Sequence, residues 1–308
     1  MNQQITIPNL ETRMPIRIGN MIDASIASVF VGYATNSPTV ILWSELAFFG
    51  SLGLGLGFRL LDKAVIKARN IKKIDFKEVY GVDINNLQQM SLEDRVEEFR
   101  ELTNILNDTY VPQEEGLKKL APDVLNILAE YIGRHTGQKV VYSSRIRIPM
   151  IIGKLFPHKN PARVYSTDEI LFYNDLGIFN PFCLAHEFTH RYGYRNEIQA
   201  QVLAYFSLME SGNPQYTQSA RATRLESHLY GICERDDKLF EQEFATLRPE
   251  LRDEMIAIAS PQLNFIERLV EPFSEITSKL KNKVRKTNIS DYTEGFTNFL
   301  YTAGERVK

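Results

Sequence analysis

His186, Glu187 and His190 form an H-E-x-x-H pattern in a chain of 308 residues with only five histidines, so the pattern is a poor candidate for coincidence. In a helix, four residues advance slightly more than one turn. His186 and His190 then project from one face and can grip a single metal ion from adjacent turns. Glu187 stands about 100° around the same helix. There it flanks the metal instead of binding it, in reach of a water at the fourth position, where a carboxylate serves as general base. A catalytic zinc site needs a third protein ligand and one open position. Gly193, three residues past His190, lacks the Cβ that resists a left-handed backbone, so it can end the helix and turn the chain. Glu197 then falls near the start of the next helix, and its carboxylate can complete a His-His-Glu set.

The chemistry implied is metal-assisted hydrolysis of a peptide or protein substrate. Zinc brings the pKa of water toward neutrality, Glu187 takes the proton, and the hydroxide attacks a peptide carbonyl. The tetrahedral oxyanion needs a donor as well. His228, Tyr205 and Arg195 are the candidates for it.

For these residues to meet, the stretch around 181–191 must be a helix set into a core. Phe182, Leu184, Ala185 and Phe188 suit a buried helix better than a solvated one. A helix that buries two imidazoles and a carboxylate must satisfy them, and a metal does so directly. Cys183, one turn before His186, reads as a small buried hydrophobe.

Upstream, Ser91 offers an N-cap with Asp94 three residues on, and Val96, Phe99, Leu102, Ile105 and Leu106 follow at helical spacing as far as Pro112. A second helix is expected from about 114 to 132, bent at Pro122 and stopping before Gly133. Short β-formers follow at 138–142, 145–148, 163–166 and 170–173. A small antiparallel sheet there could bind extended substrate along an edge. After the motif, helices are expected over 197–212, 215–233, 236–257, 261–286 and 292–301. The fold class is therefore α+β, mainly helical, with a zincin-like metallopeptidase domain and a small sheet over residues 91–308.

The first sixty residues differ in character. Residues 40–58 are apolar apart from Glu45, and 18–34 are mostly apolar with Asp23; the link between them is short and uncharged. Together they predict a transmembrane helical hairpin within residues 1–62. Gly53 and Gly57 form a small-xxx-small pair that lets helices approach closely in lipid. Lys63, Lys67, Arg69, Lys72, Lys73 and Lys77 follow, so residues 63–90 read as a basic juxtamembrane connector. By the positive-inside rule, everything after the hairpin faces the cytoplasm. A soluble cytoplasmic protein with a buried or interfacial hairpin is the alternative, since Asp23 and Glu45 are costly in lipid.

Composition excludes other classes. An apolar content of 44% over this length builds a sizeable core, and a net charge of −2 gives no reason to expect nucleic acid. Two cysteines are too few for a disulfide framework and fit a reducing compartment.

Written out, the order H-E-x-x-H-x-x-G-x-x-x-E-x-x-A, here His186, Glu187, His190, Gly193, Glu197 and Ala200, resembles the gluzincin zinc peptidases. It is more similar still to a bacterial family known as domain of unknown function 3810, with N-terminal membrane helices before a metallopeptidase-like domain. Pro181-Phe182 before the motif and Ala204-Tyr205 after the third acid carry that likeness. The resemblance implies His186, His190 and Glu197 as zinc ligands and Glu187 as catalytic base. Gln201 departs from the Asp that related membrane peptidases often have at that point to orient a ligand histidine. A non-catalytic, metal-stabilised domain that binds a peptide or partner is the alternative reading.

Overall fold

The computed structural model describes residues 3–6, 18–68, 70–147, 162–163, 170–172, 175–259 and 289–305. It divides into two compact units. The first takes Met1–Lys72, Gly137–Asn174 and Leu263–Ser274, and the second takes Lys73–Thr136, Asp175–Gln262 and Glu275–Lys308.

In the first unit, helices α1 (Ile18–Ala34) and α2 (Pro38–Ala68) pack as a hairpin. The turn runs through Asn36 at φ 51°, and Ser37 N–H donates to Gly32 O at 2.8 Å. Gly32 is required by the close approach: a Cβ there would sit 2.7 Å from Ile41 Cγ1. Ser25, Ser44 and Ser51 are buried, and each hydroxyl donates to the carbonyl four residues earlier. Their polar groups are thus satisfied inside the hairpin without a cross-helix partner.

The hairpin is as expected, but its transmembrane character is not. Among the described residues, no helix is long and apolar enough to cross a membrane. Glu45 stands within the apolar run, and Ser44, Gly50, Ser51, Gly53 and Gly57 dilute it.

The unit also holds two small sheets. Strand β1 (Gln3–Thr6) pairs in parallel with β2 (Gln138–Val141), an arrangement no sequence signal announced. Strands β3 (Ile146–Arg147), β4 (Ala162–Arg163) and β5 (Ile170–Leu171) form the order β3-β5-β4. β5 is parallel to β3 and antiparallel to β4, so the sheet is mixed where an antiparallel one was expected. It belongs to the first unit, whereas the H-E-x-x-H helix belongs to the second.

The described part of the second unit is helical. α3 (Phe76–Tyr80) is capped by Asp75, and α4 (Leu92–Thr109) by Ser91, whose hydroxyl accepts from Asp94 N–H at 3.0 Å. α5 (Leu117–Thr136) runs through Pro122 and the buried Gly133, and ends where Gly137 takes φ +74°. α6 (Asn180–Arg191), α7 (Glu197–Met209) and α8 (Pro214–Cys233) follow in close succession. The helix expected over 236–257 is two, α9 (Asp237–Ala245) and α10 (Pro249–Ala259). Pro249 explains the break, because it suits a first helical turn and clashes inside one. α11 (Ile289–Thr302) closes the described chain, and the helix expected over 261–286 lies outside the described residues.

The core is built from Phe99, Leu102 and Leu106 of α4, Leu120, Val124 and Leu128 of α5, Leu203 of α7, Leu225 of α8, and Phe296 and Phe299 of α11. Ile74, Phe76 and Val82 join it, so part of the expected connector is core. The Phe76 ring packs against Tyr80, Tyr194 and Phe299 at centroid distances of 5.3, 6.4 and 5.9 Å.

Candidate metal centre

Helix α6 is aimed from both ends. Before it, Gly177–Phe179 form a single 3-10 turn. Asn180 closes that turn: its Oδ1 accepts from Leu176 N–H at 3.0 Å and its Nδ2 donates to Asp175 at 2.6 Å. Glu254 of α10 accepts from Ile178 N–H at 2.7 Å and from Tyr110 Oη–H at 2.6 Å. Gly177, at φ +54°, has no room for a Cβ, which would lie 2.3 Å from Glu254 Oε2. Leu184, Ala185 and Phe188 anchor one face of α6 in the core.

At the other end Gly193, at φ +91°, turns the chain as its position suggested. Asn196 then caps α7, its Oδ1 accepting from Gln199 N–H at 3.2 Å. Glu197 is thereby the first residue of α7, where an acidic side chain also suits the helix dipole.

These two ends bring three donor atoms together. His186 Nε2 and His190 Nε2 lie 3.1 Å apart, and Glu197 Oε2 is 3.1 Å from the first and 3.3 Å from the second. His190 Nδ1 lies 2.8 Å from the Tyr194 carbonyl, which can only accept, so Nδ1 carries the hydrogen. In the neutral imidazole, the Nε2 of His190 then presents its lone pair to the carboxylate of Glu197. Either a proton or a metal cation among these atoms relieves the crowding of their lone pairs.

The spacing fits a metal. Ligands at about 2.0–2.1 Å from a tetrahedral zinc are about 3.3 Å from one another. Electrostatics agree. Burial resists charging His190, but the Glu197 carboxylate outweighs it and raises the imidazole above its ordinary pKa. Burial likewise pushes Glu197 up, and the two imidazoles overcome it to hold the carboxyl well below the usual range.

The loop that orients His190 is itself held. Ile74 N–H donates to Tyr194 Oη at 2.8 Å, and Lys73 Nζ donates to Gly193 O at 2.5 Å while lying 5.3 Å from the centroid of the Tyr194 ring. Desolvation, with help from the Arg195 charge, lowers the Lys73 pKa. The local pattern around H-E-x-x-H gave no sign of this clamp, because its parts are 120 residues apart in sequence.

Glu187 is 7% exposed, and its charge acts on both His190 and Cys183. The three oxyanion candidates lie elsewhere. His228 is fully buried with its Nε2 3.5 Å from Glu98, and Tyr205 accepts from Arg224 Nη1 at 2.8 Å. Both therefore belong to a buried ionic cluster centred on Glu98 and Arg224. Arg195 is exposed beyond Gly193. None of the three joins the His186–His190–Glu197 group, the one set of metal-ligating side chains that converges among the described residues.

Residues 63–294 match the family model described as protein of unknown function (DUF3810). The chain belongs to that family. The match covers the whole of α3 to α10 and includes all three converging ligands. No curated protein and no solved structure matches the chain.

Proposed function

We propose that this chain is a zinc-dependent peptidase. The convergence of His186 Nε2, His190 Nε2 and Glu197 Oε2 at 3.1–3.3 Å carries the reading. A zinc ion held by these atoms supplies Lewis acidity and acidified water. The chain's own work falls to Glu187 and the loop. Glu187 removes a proton from water, and hydroxide adds to the peptide carbonyl carbon. The C–N bond then breaks, and the amine leaves with the proton that Glu187 returns. The Tyr194 carbonyl keeps the His190 ring in the tautomer that can bind metal. The intact base favours a peptidase over a metal-stabilised scaffold, which needs the ligands but not Glu187.

The test is removal and return of metal. Treating the full chain with 1,10-phenanthroline is expected to stop cleavage of a mixed peptide library, and added zinc to restore it. Cleavage indifferent to the chelator would sink the reading, and zinc binding without any cleavage would favour the scaffold.

We further propose that the hairpin lies against a lipid surface and keeps the enzyme membrane-associated on the cytoplasmic side. Phe30, Trp43, Leu46 and Phe49 are exposed on it, and six basic residues follow within 63–77. Apolar side chains beside a basic stretch suit an anionic bilayer. The full chain is expected to co-sediment with phosphatidylserine vesicles, and the double variant Trp43→Ser, Phe49→Ser to bind them at least several-fold more weakly. Equal recovery of both proteins in the supernatant would rule this out.

A further inference from the structure

His190 and Glu197 stand on either side of the turn at residues 192–196, so the conformation of that turn sets how the ring and the carboxylate meet. Tyr194 is its pivot. The Tyr194 carbonyl lies 2.8 Å from His190 Nδ1, while its side chain, 2% exposed, packs against the Phe76 ring. At the far end of that side chain the hydroxyl accepts from Ile74 N–H at 2.8 Å. Beside it, Lys73 Nζ donates to Gly193 O at 2.5 Å and covers the glycine, where a Cβ would meet Nζ at 3.5 Å. Two consecutive residues thus donate to two consecutive residues of the turn, 120 positions later and within the same unit.

The turn gains definition from this strap. Gly193, at φ +91°, brings the backbone freedom of a residue without Cβ, and the two donors select one arrangement from it. If Lys73–Ile74 swung away, Tyr194 would lose its anchor and its carbonyl would no longer be held against His190. The ring hydrogen would then be free to move from Nδ1 to Nε2, the nitrogen that faces Glu197. That tautomer has no lone pair at Nε2 to give a metal.

We propose that docking of Lys73–Ile74 and binding of zinc are coupled, with Lys73 and Tyr194 as positioning residues of the metal centre. The inference rests on the zinc reading of the triad and adds a control on its affinity. Zinc binds the docked state more tightly than the undocked one, and by linkage bound zinc holds the strap in place by the same factor. Partners that orient a ligand histidine are worth about 10–100-fold in metal affinity, which sets the scale of the coupling.

Hydrogen exchange of the full chain, with and without saturating zinc, reads the coupling at a distance from the metal. The Ile74 amide lies outside every described helix and strand, so its bond to Tyr194 is what shields it. Zinc is expected to slow its exchange by about ten-fold or more. The control is the Arg248 amide in the turn between α9 and α10, which Asn107 Oδ1 holds at 2.8 Å and which should slow much less. In parallel, zinc affinity is measured by competition with a chromophoric chelator. Tyr194→Phe keeps the ring and the carbonyl but removes the acceptor for Ile74, and is expected to weaken zinc by about 10–100-fold. Lys73 is on the surface, so Lys73→Met tests the strap with little risk to folding. It should weaken zinc several-fold, and Lys73→Arg, which keeps a charged donor, should retain the original affinity. Unchanged zinc affinity in both Tyr194→Phe and Lys73→Met overturns the proposal, as does an Ile74 amide that zinc slows no more than Arg248. An unsubstituted chain that takes up no zinc is a different result, and overturns the metal reading together with the coupling built on it.

Discussion

Replacing Glu187 by glutamine is expected to lower the hydrolytic rate by about 10²–10⁴-fold while zinc content stays unchanged. Glutamine keeps the shape and hydrogen-bonding reach of the side chain, so a position only 7% exposed should not be disturbed in packing. It removes the basic oxygen pair that takes the proton. Parallel assays of peptide cleavage and of bound zinc separate these effects. Undiminished cleavage by the glutamine variant would eliminate Glu187 as the base, and loss of zinc would give it a structural role.

Arg224→Ala is expected to destabilise the second unit by about 3–5 kcal/mol, the cost of stripping a buried charge of its partner. Arg224 is 1% exposed and ion-pairs with Glu98. It also donates to Tyr205 Oη at 2.8 Å and to Glu305 O at 2.5 Å. Without it, Glu98 keeps the buried His228 imidazole 3.5 Å away and the more remote charge of Arg95. Burial tends to raise the Glu98 carboxyl, and His228 and Arg224 reverse that and lower it. Because its folded pKa is depressed, the stability this adds is present above the ordinary carboxylate pKa and lost as pH falls through the lowered value. Urea unfolding at neutral pH measures the loss. Pairing Arg224→Met with Glu98→Gln should recover much of it by removing both charges together. A change below about 1 kcal/mol for Arg224→Ala, the worth of an exposed pair, would contradict the buried-cluster description.

The convergence of His186, His190 and Glu197 was legible because its geometry is local. Helical periodicity relates His186 to His190, and the turn at Gly193 returns Glu197 to them, all within twelve residues. The helix start at Leu92 was legible for the same reason, since Ser91 is a side-chain cap, whereas the Asn196 cap of α7 emerged only in the structure. What failed was long-range. His228 and Tyr205 looked available as oxyanion donors because nothing nearby in sequence occupies them. Their partners are Glu98, about 130 residues before His228, and Arg224, which reaches Tyr205 from α8 across 19 residues of sequence. The clamp from Lys73 and Ile74 onto the Gly193–Tyr194 loop and the hydrogen bond from Ile178 N–H to Glu254 were hidden for the same reason. Sheet pairing also escaped, because a two-residue strand such as β5 carries no periodicity that distinguishes a parallel from an antiparallel neighbour. The apolar run at 40–58 resembles a membrane span in average character, although the helix that carries it is punctuated by Glu45 and small residues.

The claim on which the rest depends is that His186, His190 and Glu197 hold one zinc ion. Metal analysis of the full chain, purified without chelators, tests it most directly when His190→Ala is measured beside it. The geometry calls for one zinc per chain in the unsubstituted protein, and for its loss in His190→Ala with helical content preserved. Unsubstituted protein that contains no zinc and takes up none, or a His190→Ala variant that keeps its zinc, would contradict the account.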